Sequence, residues 1–132
     1  MSLSPYLRGE FVRRTLLDVS LFPHLYVSLH YNEPGEEGQY ELRGMSYERM
    51  EFERTELALG MMANTNTLQT LALPDGPVSH IGLWDSPKHG LFLVGGALLA
   101  PFSVRIGQGL SWRPGEIVFN MAEPEPLPRK QG

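Results

Sequence analysis

Short runs of alternating apolar and polar residues, separated by glycine and proline, restrict the fold of this chain more than any other feature. Residues 25–31 read LYVSLHY and residues 78–85 read VSHIGLWD, and both runs have the period of two that is typical of a β-strand. Glycine and proline, 14 and 11 of the 132 residues, supply turns between many short elements. We therefore predict a mainly β fold, an antiparallel β-sandwich or barrel of the jelly-roll type.

One short helix is predicted at the N-terminus. Ser4 is a favourable N-cap, and Pro5 suits the first helical position because its φ angle is already fixed. Apolar residues recur at close to helical spacing at Leu7, Phe11 and Leu16. Since a helix over residues 4–17 is marginal alone, we expect it to pack on a sheet or on a neighbouring subunit.

Alternation within residues 25–31 assigns side chains to two faces. The apolar face is predicted to contain Leu25, Val27, Leu29 and Tyr31. The other face is predicted to contain Tyr26, Ser28 and His30. Further strands are predicted at residues 47–54, 57–62, 67–73, 91–99, 103–106, 110–113 and 116–121. The polar side chains along residues 47–54 indicate an edge strand, and Pro101 is expected to end the strand at residues 91–99.

The chain changes character at residue 122. The sequence AEPEPLPRKQG alternates proline with polar residues and has no core-forming pattern, which predicts an extended arm of the polyproline-II type. We therefore expect a single β domain over residues 1–121, including the helix at residues 4–17, and a proline-rich C-terminal arm over residues 122–132.

Charge and cysteine content exclude several classes of function. The formal net charge of −4 does not favour a nucleic-acid surface, which needs clustered Lys and Arg. The chain has no cysteine, so disulfides, thiolate metal sites and a cysteine nucleophile are excluded. Neither a signal peptide nor an apolar run long enough to span a bilayer is evident, and we expect no membrane contact.

A metal site is the first candidate for chemistry, and it is weak. His80, Asp85 and His89 are suitable ligand types, but a regular strand places His80 and Asp85 on opposite faces. We expect His80 to form hydrogen bonds within or beside the sheet and Asp85 to help form the following turn. The acids Glu33, Glu36 and Glu37 match no known calcium loop and are read as a solvated turn.

A glycosidase site is the second candidate. The acids concerned are Glu51, Glu53 and Glu56, and nothing in the sequence predicts the cleft or the raised pKa that such a reaction requires. No nucleophile elbow, phosphate loop or dinucleotide fingerprint is present. We therefore expect no catalytic residue, no cofactor and no metal, and a protein that is not an enzyme.

The order of the segments resembles that of a family of small bacteriophage virion proteins, described as tail fibre or tail-associated proteins, with relatives described as head decoration proteins. The resemblance rests on LYVSLHY at 25–31, EPGEEGQYE at 33–41, GMSYER at 44–49 and VSHIGLWDS at 78–86. Residues 89–119 are similar to the family's C-terminal part, with matching turn residues at Gly90, Gly96, Pro101, Gly107 and Gly115. Residues 56–66, which are Met-rich, and the proline-rich end depart from the family pattern.

The resemblance implies a structural subunit of the virion, assembled in the host cytoplasm, whose partners are major capsid or tail proteins. Three roles stay open: a capsid cement or decoration subunit, which the short chain slightly favours, a tail or tail-fibre attachment subunit, and a module that binds a host glycan. By family analogy we expect a homo-oligomer, with a trimer as one form. The predicted partner-contact residues are Arg8, Arg13, Arg14, Trp84, Pro124, Pro126, Pro128 and Arg129. The glycan-binding role predicts an exposed aromatic patch at Trp84 or Trp112.

Overall fold

The structure of the chain, a computed structural model, describes residues 4–121. These residues form one short helix and three antiparallel sheets in a sandwich-like arrangement, which confirms the predicted mainly β fold. In chain order the elements are α1 (Pro5–Arg14), β1 (Tyr26–His30), β2 (Met50–Glu51), β3 (Arg54–Ala58), β4 (Met61–Asn64), β5 (Leu68–Thr70), β6 (Gly76–Trp84), β7 (Phe92–Val104), β8 (Leu110–Trp112) and β9 (Val118–Asn120).

The main sheet has four strands in the order β2-β1-β6-β7. Its centre is the pairing of the two strands with the clearest alternation, in which Tyr26 lies opposite Trp84 and His30 lies opposite His80. The strands predicted at 25–31 and 78–85 are thus confirmed. The edge position predicted for residues 47–54 is also found, but only the short strand β2 occupies it.

The edge strand β7 differs from its prediction, because it continues through Pro101 to Val104. The register shifts between Val78 and His80, whose partners on β7 are Phe102 and Ala97. Proline is tolerated on an edge strand at such a bulge, because no partner needs its missing N–H group. Pro101 therefore lies within an irregular strand rather than at its end.

Two smaller sheets complete the sandwich, in the orders β3-β4-β9 and β5-β8. The prediction of one strand at residues 57–62 is wrong, because a tight turn at Leu59 and Gly60, with Gly60 at φ +84°, folds this stretch into the hairpin of β3 and β4. The prediction of one strand at 47–54 is also wrong, since the chain leaves the main sheet after β2 and enters the next sheet at β3.

The helix begins as predicted, since the Leu7 amide donates to the Ser4 hydroxyl at 3.2 Å and Pro5 occupies the first turn. It ends at Arg14, three residues before the predicted end at 17. The Thr15 hydroxyl donates to the carbonyl of Phe11 at 2.5 Å, and the backbone of Thr15 has left the helical region. No helix among residues 4–121 is long and apolar enough to cross a membrane.

The core lies between the sheets and is built mainly of aliphatic side chains. Leu25, Val27 and Leu29 are fully buried in it, as the alternation predicts. The alternation did not predict which faces are buried. Tyr31, on the apolar face, is half exposed, and the Ser28 and His30 side chains of the opposite face are fully buried. The reason is a second covering layer, formed by residues 32–41, which we call the cover loop.

The predicted arm at residues 122–132 lies outside the described residues, so its extended form stays a prediction. The final described residue, Met121, donates its amide to the carbonyl of Gly60 at 2.8 Å.

Candidate functional site

A cleft of 730 Å³ opens beside the outer face of the main sheet. It lies between the cover loop with its continuation to Arg43, the residues Pro74 and Asp75 before β6, and the turn at His89 and Gly90. We call this feature the cleft. Segments that are distant from one another in the sequence meet in the cleft.

Arg49 and Trp84 form the floor of the cleft. Trp84 is 7% exposed, and the Arg49 guanidinium lies over its indole ring at 3.6 Å from the ring centroid. Arg49 also binds both carboxylate oxygens of Glu41, at 3.0 Å each. Its Nη1 donates to the carbonyls of Ser86 and His89, at 2.9 and 2.7 Å. One side chain thus fixes the cover loop, the sheet and the turn after β6 relative to one another.

Tyr47 completes the support of Glu41. Its hydroxyl donates to a Glu41 carboxylate oxygen at 2.6 Å and accepts from the Leu29 amide at 3.0 Å. Burial, together with the nearby negative charge of Glu41, raises the pKa of the Tyr47 hydroxyl, which therefore stays protonated at neutral pH. The Glu41 carboxylate is consequently held by one charged and one neutral donor.

A buried chain of hydrogen bonds lies behind the floor. The Trp84 indole N–H donates to the Ser28 hydroxyl at 2.8 Å, and that hydroxyl lies 2.6 Å from His30 Nε2. His30 Nδ1 lies 2.7 Å from the carbonyl of Gln39, which can only accept. Nδ1 therefore carries the proton, and Nε2 accepts from Ser28. Desolvation by burial lowers the pKa of His30, so the neutral imidazole is the favoured form.

Two glycines make room for this chain of hydrogen bonds and for the cover loop. A Cβ atom on Gly82 would lie 2.5 Å from the Ser28 hydroxyl oxygen and 2.8 Å from His30 Nε2. A Cβ atom on Gly38 would overlap the Trp84 ring, and Gly38 also has φ +74°. Only glycine allows the loop to lie this close to the sheet.

The rim of the cleft carries two exposed aromatic rings. Tyr31 and Tyr40 are 48% and 45% exposed, and their centroids are 5.6 Å apart with an interplanar angle of 71°. Tyr40 has φ +62°, and His89 on the opposite rim has φ +56°. Such left-handed conformations are unfavourable for residues with a Cβ atom, and they concentrate at functional sites.

Several polar side chains of the cleft have no partner among residues 4–121. They make no hydrogen bond or ion pair with any residue of the described segment, and they are Glu37, Gln39, Arg43 and Asp75. The cleft therefore presents free donors and acceptors next to aromatic rings. Sequence reasoning missed this site, because the alternation of β1 grouped Tyr31 with the apolar residues of that strand and a left-handed Tyr40 leaves no signal in a sequence.

A second exposed surface lies on the outer side of α1. The helix packs on the body through Gly9, Val12 and the following Leu16. Its opposite side exposes Tyr6, Leu7 and Phe11, beside Glu10 and Arg14. We call Tyr6, Leu7 and Phe11 the outer helix face. The sequence placed Leu7 and Phe11 on one apolar side together with Leu16, but only Leu16 is buried against the body, where Gly9 makes the closest contact.

The predicted partner-contact residues lie in different surroundings. Arg13 binds Glu56 and Glu10, Arg14 binds Glu10, and Arg8 is half-buried. Trp84 is buried under Arg49, so the exposed aromatic patch that glycan binding would require is not at Trp84. The remaining predicted contacts lie outside the described residues, and they are Pro124, Pro126, Pro128 and Arg129. A contact with partners stays a prediction for all eight residues.

The residues considered for a metal have structural contacts. His80 Nδ1 lies 2.8 Å from the Ser79 hydroxyl, and Asp85 accepts from the Leu91 amide at 2.7 Å, which confirms the predicted turn. Among residues 4–121, no group of three or more His, Asp and Glu is placed to hold a metal ion.

The acids considered for a glycosidase do not share a strand. Glu51 ends β2 and lies 3.2 Å from His24, Glu53 follows it outside the strand, and Glu56 in β3 binds Arg13. The hydrogen bond from Arg13 lowers the pKa of Glu56, which is opposite to the shift that a general acid needs.

The model of the family described as "Podophage GP4 fiber I protein gp80" matches residues 3–120, which include α1 and all nine strands. No curated protein matches the chain.

Proposed function

The chain belongs to the family of the podophage GP4 fiber I protein gp80, and from this premise we propose that it is a structural, non-enzymatic subunit of a fibre on a bacteriophage virion. The observation that supports the proposal is the match over residues 3–120, which spans the whole described domain. A protein of this family is a component of the virion and associates with other virion proteins.

The family match changes the order of the roles that the sequence left open. The short chain slightly favoured a capsid cement subunit, whereas the description of the matched family names a fibre protein. We therefore favour a fibre or fibre-attachment subunit over capsid cement. Labelling of purified virions with an antibody against the chain tests this choice. Gold particles on the fibres are expected, and gold spread evenly over the capsid would show that the cement role is the right one.

We further propose that the outer helix face forms a contact with the neighbouring virion protein on which this subunit is mounted. Phe11 is 62% exposed, and Tyr6 and Leu7 beside it are also exposed, although the burial of such side chains is favourable. An apolar helix face with anchors one turn apart is a common means of binding a groove on another protein.

Virion assembly with a Phe11→Glu variant tests this contact. The charge is expected to lower the occupancy of the subunit in particles by roughly tenfold, the usual effect of losing an aromatic anchor. Val19→Glu is the matched control, because Val19 is 69% exposed, slightly more than Phe11, but lies outside the helix. Normal occupancy of the Phe11→Glu variant would rule out the helix as the mounting surface.

The non-enzymatic part of the proposal has its own test. Purified full-length chain is incubated with peptidoglycan and with host surface polysaccharide, and the products are separated by chromatography. We expect no release of fragments above the blank. Fragments that increase with protein concentration would contradict the proposal.

A further inference from the structure

We propose that the cleft binds an uncharged saccharide, with a sugar ring packed against Tyr31 and Tyr40. This inference uses the proposed fibre function only to name the source of the sugar, a polysaccharide on the surface of the host cell. The site itself is argued from the residues of the cleft.

The two tyrosines provide the apolar part of the site. Tyr31 and Tyr40 meet at 71°, so one ring can pack against the C–H face of a sugar while the other borders its edge. Both rings are about half exposed although neighbouring apolar side chains are buried. Tyrosine suits this task because its ring gives a rigid contact area and its hydroxyl stays available for hydrogen bonds.

The free polar groups provide the specific part of the site. Glu37 and Asp75 can accept, Arg43 can donate, and Gln39 can do both, which matches hydroxyl groups that both donate and accept. Arg49 is already bound to Glu41, so its charge is neutralised within the protein. The unpaired charges of the cleft are then the two carboxylates of Glu37 and Asp75 and the single guanidinium of Arg43. An anionic sugar, or a phosphate group, would therefore be repelled.

Shape and rigidity are consistent with a ligand of this kind. The volume of 730 Å³ lies within the range of about 300–1,000 Å³ that is usual for sites of small ligands. Arg49 holds Glu41 and the carbonyl of His89, so both rims have fixed positions before a ligand arrives. A site that is already ordered loses little conformational entropy on binding.

The test uses the purified full-length chain on an array of oligosaccharides from bacterial surface polysaccharides, followed by calorimetry with the best neutral binder. The decisive variant is Tyr40→Gly, because glycine removes the ring and also accepts the backbone angle of φ +62°. The matched control is Met45→Gly, since Met45 has φ +51°, is exposed and does not line the cleft.

We expect the Tyr40→Gly variant to melt as the wild-type chain does and to bind the saccharide at least about tenfold more weakly, as is usual when an aromatic anchor is removed. The Met45→Gly variant should bind normally. Equal binding by wild type and Tyr40→Gly would overturn the proposal, as would the absence of any neutral binder on the array or preferential binding of anionic sugars.

The outcome can be separated from that of the proposed fibre function. Gold labelling of fibres together with a chain that binds no neutral saccharide would overturn this inference alone. Saccharide binding that depends on Tyr40, in a protein located on the capsid, would support the cleft and contradict the fibre role.

Discussion

Arg49 shows how one residue can hold a site that is assembled from distant segments. Four of its five N–H donors have acceptors, on Glu41, Ser86 and His89, and its flat face covers Trp84. Arg49 and Glu41 are largely shielded from water, so their attraction is weakly screened and neither charge can easily lose its partner.

The first prediction concerns the geometry of this arginine rather than its charge. Arg49→Lys keeps the charge but loses the paired contact with the carboxylate and the stacking on Trp84, and should lower the free energy of unfolding by about 2–3 kcal/mol. The measurement is urea denaturation monitored by circular dichroism. Arg43→Lys, at an exposed arginine, should change stability by less than about 0.5 kcal/mol. Equal stabilities for both variants would show that a point charge at residue 49 is sufficient.

The second prediction concerns pH. Burial lowers the pKa of His30 below its ordinary value of 6.5, so the unfolded chain takes up a proton at a higher pH than the folded chain does. The contribution of His30 therefore leaves stability unchanged above about pH 6.5 and lowers it progressively as the pH falls toward the folded-state pKa. Protonation would also give Nε2 a hydrogen, so that the Ser28 hydroxyl would lose its acceptor.

Melting temperatures measured from pH 7.5 to 5 test this dependence. The melting temperature of the wild-type chain should fall over the acidic half of that range, and the slope should be reduced in His30→Gln. His24→Gln removes an exposed imidazole by the same substitution and serves as the control. An unchanged acidic slope in His30→Gln would mean that another group controls the effect.

At the same scale, the sequence predicted which side chains of β1 share a face but not which faces are buried. Alternation correctly grouped Val27 with Leu29 and Ser28 with His30. It could not show that the cover loop would return over the polar face, because this depends on the close approach of Gly38 to Trp84. Polar residues covered by a loop and polar residues in water have the same pattern in a sequence.

Among the elements, the helix shows how a local rule can be reversed by packing. By its intrinsic propensity Gly9 weakens α1, because glycine is about 1 kcal/mol less favourable than alanine inside a helix. In the structure, a Cβ atom on Gly9 would overlap the side chain of Leu59 in the turn between β3 and β4. Glycine is therefore the residue that lets this turn support the helix.

The third prediction follows from this contact. Gly9→Ala should destabilise the chain by about 1–2 kcal/mol, since overpacking outweighs the better helix propensity. In a Leu59→Ala background the same substitution should instead stabilise by up to about 1 kcal/mol, because the obstructing side chain is gone. Urea denaturation of the four proteins of this double-mutant cycle gives the two values. The same sign in both backgrounds would contradict the proposed role of Leu59.

At the scale of the whole molecule, the sequence predicted the fold class but not which strands pair with one another. The alternation at 25–31 and 78–85 placed both strands correctly, and glycine and proline marked the turn at 86–90. The hairpin at Gly60 was missed, because Leu, Ala and Met around it favour neither strand nor turn strongly. The strand orders, such as the placement of β1 between β2 and β6, depend on contacts between distant residues that no local pattern records.

The fourth prediction concerns the boundary between the β domain and residues 122–132. All residues of the described hydrophobic core lie between Val12 and Phe119, and the family match ends at residue 120. A chain that ends after Met121 therefore keeps its described core and should melt within about 3 °C of the full chain, a change of less than about 1 kcal/mol. Differential scanning calorimetry measures this difference.

The same truncation should weaken assembly if residues 122–132 reach a neighbouring subunit. An extended arm of the predicted polyproline-II type would lose less entropy on binding than a flexible one, and repeated contacts in a particle add avidity. We expect the occupancy of the truncated chain in virions to fall by roughly tenfold, which corresponds to about 1.4 kcal/mol of lost contact. A full-length chain with Pro124, Pro126 and Pro128 replaced by alanine is the matched control. An occupancy between those of the wild-type and the truncated chain would separate the contribution of proline stiffness from that of the other side chains of the arm. Normal occupancy of the truncated chain would show that the domain alone carries the contacts that hold it in the particle.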